Sequence, residues 1–123
     1  MTRSWGRPRL ARGRTRGRKK GMNATEEAYA LILKARLERG EIVWFTFEAI
    51  TFGVADQCRF TPDFVVQLPD GTIEFHEVKG WRFEDDALVK IKVAAEMFGM
   101  FTFRAFVKQS RKHGGGWKER SFE

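Results

Sequence analysis

Two runs rich in Val, Ile, Phe and Thr, Thr61 to Leu68 and Thr72 to Lys79, flank the turn Pro69-Asp70-Gly71. This predicts a β-hairpin, because such side chains suit a pleated surface and the turn offers Gly where φ > 0 is expected. With residues 69 to 71 as the loop, Leu68 stands opposite Thr72, and counting back along both strands sets Asp63 opposite Glu77. Side chains alternate between faces, so Glu77 and Lys79 keep company with Ile73 and Phe75, while Glu74, His76 and Val78 point the other way. Two carboxylates about 5 Å apart repel by roughly 3 kcal/mol at an effective dielectric near 20. A divalent cation offsets that cost through hard oxygen ligands, and Lys79 alone is the other means. On a solvated face Lys79 would be an ordinary cross-strand partner. The apolar company of Val65, Ile73 and Phe75 favours a coordinating task, since charges are seldom buried without one.

Upstream, residues 23 to 40 open with Asn23, Thr25 and Glu26 and close on Gly40, the start and stop signals of a helix. Glu26 lines up with Tyr29, Leu33 and Leu37 on the expected buried stripe, whereas Glu27 heads a polar row. Both glutamates also favour the helix dipole. Residues 42 to 52 alternate as a first strand, with the Phe60 segment as its expected partner. Glu48 stays outside the candidate site, because it also fits the wet side or a pairing with Arg59. Beyond Gly80, residues 84 to 98 form a second amphipathic helix on Leu88, Ile91, Ala95 and Phe98. Residues 101 to 107 form a closing strand, parallel to a hairpin strand through the helical crossover.

Charge divides the 123-residue chain: residues 1 to 20 hold nine Lys or Arg and no acid, and the remainder carries 14 basic against 16 acidic residues. Three segments are expected: a disordered basic arm over 1–21, one folded domain over 22–108 and a flexible basic tail over 109–123. The arm's Arg7, Arg9, Arg12, Arg14, Arg16, Arg18, Lys19 and Lys20 suit a polyanion such as DNA. Gly6-Arg7-Pro8 resembles the heart of an AT-hook, but phosphate binding without sequence reading is the favoured role. Cys58 is the only cysteine, which excludes an internal disulfide and a cysteine-built zinc site. The arm lacks the apolar core of a secretory signal and no stretch is long enough to span a membrane, so an intracellular, cytoplasmic location is expected, with no membrane partner. His76 points away from Glu77 and His113 sits beside three glycines in a basic tail; neither is read as catalytic.

Pro62-Asp63 followed by Glu77-Val78-Lys79, on a hairpin of the right parity, with Gly80 next and a helix after it, resembles the PD-(D/E)xK nuclease superfamily. The resemblance spans residues 23 to 107. With the Asn-x-Thr-Glu-x-x-Tyr start, it extends to small phage-encoded nucleases of the Holliday-junction-resolvase type, and to the end-cleaving nucleases of some transposons. It implies a three-layer α/β/α fold on a mixed four-stranded sheet, the αβββαβ core of restriction endonucleases. It also implies metal-dependent hydrolysis of DNA: Glu26, Asp63 and Glu77 with the Val78 carbonyl holding Mg2+ (Mn2+ as substitute), and Lys79 orienting the nucleophile. Trp81 and Arg82 would lie along the DNA, and Lys90 or Lys92 would either touch phosphate or pair on the surface with Asp86 and Glu96. A branched substrate cut symmetrically implies a homodimer, to which Trp44, Trp81 or Trp117 could contribute; the host would be bacterial if the chain is phage-encoded. The competing readings are a general or site-selective nuclease of this fold and a non-catalytic DNA-binding accessory protein.

Overall fold

The computed structural model describes the backbone of residues 9–10 and all of residues 21–122. The arm residues Arg7, Arg12, Arg14, Arg16, Arg18, Lys19 and Lys20 lie outside that range. In chain order the elements are β1 (Arg9–Leu10), α1 (Ala24–Glu38), β2 (Trp44–Phe47), β3 (Ile50–Ala55), β4 (Cys58–Phe60), β5 (Phe64–Gln67), β6 (Ile73–Lys79), α2 (Asp85–Met97), β7 (Thr102–Lys108) and β8 (Trp117–Phe122). Among the described residues, no helix is long and apolar enough to cross a membrane.

The hairpin forms in the expected register. Phe64 faces His76 and Gln67 faces Ile73 across an antiparallel β5–β6 pair, and Gly71 closes the turn at φ 94°. It is the centre of a five-stranded mixed sheet ordered β2-β5-β6-β7-β8, with β6 and β7 parallel. The parallel step follows from α2, which carries the chain back across the sheet between those strands.

Two features differ from the sequence reading. Residues 42 to 52 do not make one strand: the chain breaks at Glu48, whose φ of 47° is left-handed. Its N–H donates to the Asp63 carbonyl at 2.8 Å, pinning the break against the hairpin. Before the break β2 pairs with β5; after it β3 pairs with β4, Phe52 opposite Phe60, in a smaller sheet that β1 joins at Thr51 and Ile50. The pairing with the Phe60 segment therefore holds for β3 alone. The second difference is at the other end. Residues 109 to 123, expected as a flexible tail, supply a 3₁₀ turn at Arg111–His113 and then β8, which pairs antiparallel with β7 and makes the sheet five-stranded rather than four-stranded. Gly114, Gly115 and Gly116 all take positive φ (99°, 67° and 70°), so the glycine triplet of the expected flexible tail is a built turn.

The sheet buries both faces. On one, Val65, Phe75, Phe103 and Ala105 pack beneath Ile91, Ala94 and Phe98 of α2 and beneath Phe52, Val54 and Phe60 of the small sheet. Phe75 and Phe103 stack with ring centres 5.2 Å apart, and Phe52 meets Phe75 edge-on at 4.9 Å. On the other face, Phe64, Val66 and Val78 pack against Tyr29 and Leu33 of α1. Leu37, expected on the same stripe, is exposed. Trp117 is drawn inward too, its ring 5.3 Å from that of Tyr29, which leaves Trp44 and Trp81 as the exposed members of the tryptophan set proposed for a subunit contact.

Candidate functional site

The sheet's α2 face brings Asp63 and Glu77 together at the mouth of the hairpin. Both side chains are buried, Asp63 at 7% and Glu77 at 8% relative exposure. They are held by reciprocal hydrogen bonds: the Asp63 N–H donates to Glu77 Oε1 at 3.1 Å, and the Val78 N–H donates to Asp63 Oδ2 at 2.8 Å. Each carboxylate thus spends one oxygen on the neighbouring strand's backbone. Among the described residues, Asp63 Oδ1 receives no donor, and Glu77 Oε2 has only Lys79 Nζ at 3.6 Å. Burial, reinforced by the charge of Glu77, pushes the Asp63 carboxyl well above the ordinary range, and the Val78 N–H offsets this only in part. Burial likewise raises Glu77, against the pull of Lys79. The desolvated pair therefore strongly disfavours carrying two negative charges on its own.

Lys79, half-buried at the end of β6, opens into a cleft of about 600 Å³ that Glu77 also lines. The rest of the lining comes from the first turns of α2, with Lys90, from Thr51 and Arg59 of the small sheet, and from Thr61 just after β4. The two lysines of α2 are thereby separated: Lys90 lines the cleft, whereas Lys92 is exposed and does not. Arg59 was not among the candidate residues. Its only sequence signal was its nearness to Asp63, which becomes informative once β4 folds over the hairpin mouth.

Glu26 stands differently from the other acids. Its carboxylate accepts from the Asn23 N–H at 2.9 Å while Asn23 Oδ1 accepts from the Glu26 N–H at 2.8 Å, the reciprocal cap of a helix start. The start of α1 nevertheless sits hard against the end of β6. A Cβ added to Gly80 would lie 3.0 Å from Thr25 Oγ1, so the glycine permits this close approach. The negative charge of Glu26 is felt by both Asp63 and Glu77 and adds to the rise of each. Among the described residues, no group of three or more His, Cys, Asp or Glu side chains is spaced to hold a metal ion. Asp63 and Glu77 are together; Glu26 is a neighbour engaged elsewhere.

Trp81 and Arg82 follow directly, both exposed, the guanidinium 5.9 Å from the indole centre. The chain matches no protein-family model, no curated protein and no solved structure.

Proposed function

We propose that this chain is a metal-dependent DNA endonuclease with the three-layer α/β/α architecture of the PD-(D/E)xK nucleases, acting within the cytoplasm on branched DNA such as a four-way junction, as a homodimer. The observation that carries this reading is the buried, opposed pair Asp63 and Glu77, with one oxygen of each free of backbone bonds and a lysine two residues along the same strand face. Such a pair is costly unless a cation or a proton resides there, and the donor set suits magnesium, which binds through one or two carboxylates and keeps its remaining positions for water and substrate phosphate. Asp63 and Glu77 would hold it, with the Val78 carbonyl and, after release from Asn23, Glu26 as further ligands. When bound, it would supply Lewis acidity toward a phosphoryl oxygen and an acidified water at neutral pH.

The chain's own groups divide the remaining work. Lys79, only loosely held by Glu77 at 3.6 Å, swings toward the scissile phosphate and stabilises the charge that develops there. Lys90 and Arg59, in the same lining, hold flanking phosphates. The buried backbone bonds to Asp63 and Glu77 keep the carboxylates rigid, so that no reorganisation is needed as charge moves. A basic arm attached to an acidic site overcomes the repulsion a polyanionic substrate would otherwise meet.

The test is incubation with supercoiled plasmid, linear duplex and a synthetic four-way junction, with magnesium or with chelator. Magnesium-dependent cutting that favours the junction and is lost in Asp63→Asn and Lys79→Ala, with DNA binding intact, is the expected result. Equal cutting of linear duplex would make it a general nuclease; binding without cutting under magnesium or manganese would make it an accessory protein.

A further inference from the structure

A second groove, of about 890 Å³, is lined from Gly80, the residue that follows Lys79 of the first cleft. Its near wall is the 81–83 loop, its floor is Ala105 and Val107 of β7, and its far wall is the 3₁₀ turn and β8. Five cations line it, Arg82, Lys108, Lys112, Lys118 and Arg120, and all five are exposed. Among the described residues, the single carboxylate in the lining is Glu119, already committed to an ion pair with Arg104. A solvated basic face would scatter its charges over a convex surface; here a concave trough gathers them.

We infer that this groove binds a single-stranded nucleic-acid segment, its phosphates along Lys118 and Arg120 and a base stacked on Trp81. The inference rests on the nuclease reading for the identity of the polymer, and names an unpaired strand at a branch in DNA as what this flank receives. Three features direct it. Lys118 and Arg120 are two apart on one strand, so they project from the same face about 7 Å from each other, comparable with the spacing of consecutive phosphates in an extended strand. Trp81 is 78% exposed in the groove wall, an indole with a free face and a guanidinium beside it. A basic trough with an exposed aromatic platform is the arrangement that binds unpaired strands, because every base offers a π-face. The apolar floor of Ala105 and Val107 is compatible with base edges and gives a phosphate nothing. An unpaired strand entering beside Trp81 would run past Gly80 toward Lys79 and the acid pair.

The experiment is fluorescence anisotropy of the full chain in chelator, with a labelled oligothymidine and a blunt duplex of equal length, across a salt series. The oligothymidine is expected to bind more tightly than the duplex. Lys118→Ala/Arg120→Ala should weaken it and lower the slope of log K against log salt by about 0.7 for each cation removed. Trp81→Ala should weaken oligothymidine at least about fivefold and duplex hardly at all. Lys112→Ala, in the turn and away from the strand ladder, should lower the slope by itself if the β8 variant proves poorly folded. Unchanged affinity and slope in these variants, or duplex losing as much as oligothymidine, would overturn the proposal. Because no metal is present, the outcome is separable from cleavage. Loss of binding in the groove variants with no cutting by the wild type leaves the groove standing without the nuclease, and normal binding in those variants with Asp63-dependent cutting does the reverse.

Discussion

Strand β6 carries a buried glutamate on each of its faces, and the two have opposite fates. On the α1 face, Glu74 is surrounded by partners. Its Oε1 lies 2.8 Å from His76 Nε2, its Oε2 lies 3.3 Å from Arg104 Nε, and Arg104 reaches on to Glu119. His76 in turn meets the Tyr29 hydroxyl at 2.7 Å. With Glu74 ionised, His76 carries its proton on Nε2, and Tyr29 donates to Nδ1. Burial works against the Glu74 charge, yet His76 and Arg104 outweigh it and its pKa falls. Burial also lowers the pKa of His76, keeping the ring neutral, and raises that of Tyr29. On the α2 face, three residues along the same strand, Glu77 is just as buried but confronts another carboxylate, and its pKa rises. One face satisfies its acid; the other leaves its acids in want of a positive charge. A chain able to build the first arrangement could have built it twice, so the unsatisfied face marks where a ligand is expected.

The contrast breaks most visibly if Asp63→Asn is made. Cleavage should fall at least about a thousandfold, the several kcal/mol that a Lewis acid contributes. The metal-free protein should meanwhile become more resistant to urea at pH 8, because a buried amide is neutral without having to hold a proton that the unfolded chain gives up. Activity lost together with stability would mean that the pair is only structural.

Glu74→Ala should do the opposite. It strips the anion from buried His76 and partly buried Arg104, and breaking such a network costs about 3–5 kcal/mol, to be read from chemical denaturation. Cleavage by the fraction still folded should stay within severalfold of wild type. A variant of near-normal stability would erase the distinction between the faces.

The pH dependence sharpens it. Asp63 and Glu77 have raised pKa values in the folded protein, so the native state keeps protons that the unfolded chain loses above about pH 4. In chelator, the contribution of this pair to stability is therefore fully present below that pH and is lost as pH rises through the native pKa values, by about 1.4 kcal/mol per pH unit for each proton so retained. Glu74, with its lowered pKa, contributes stability above its unfolded value that is lost only in acid. Thermal melts from pH 4 to 9 should show a decline that magnesium cancels and that Asp63→Asn flattens.

The smallest expected effect is at the helix start. Asn23→Ala removes the reciprocal cap and should cost about 1 kcal/mol, while freeing Glu26 to turn toward the acid pair. If Glu26 is a ligand, magnesium affinity measured by calorimetry should rise and Glu26→Gln should lower cleavage; if it is only a cap, affinity is unchanged and Glu26→Gln has no effect on cleavage.

Much of this was legible in the chain. The period-two alternation and the Pro-Asp-Gly turn are local signals, and they suffice to set Asp63 opposite Glu77, because a hairpin's register follows from its turn. Capping at Asn23 and the amphipathic stripe of α2 are equally local. Of the groove cations, Lys112, Lys118 and Arg120 were missed because they sit in a glycine-rich basic stretch with no apolar alternation, which reads as tail. Only pairing with β7 turns residues 117 to 122 into a strand.

Which acids share a face is a matter of parity and turn chemistry between near neighbours, and so is written locally in the chain. How those acids are surrounded emerges from the packed fold: Glu74 finds Arg104 across a parallel pair, Glu48 breaks a strand so β4 can wall the cleft, and β8 returns to complete a basic groove. The difference is one of range. Alternation and turn preference act over a few residues, whereas desolvation and charge pairing depend on whatever distant segments the packed core brings within a few ångströms.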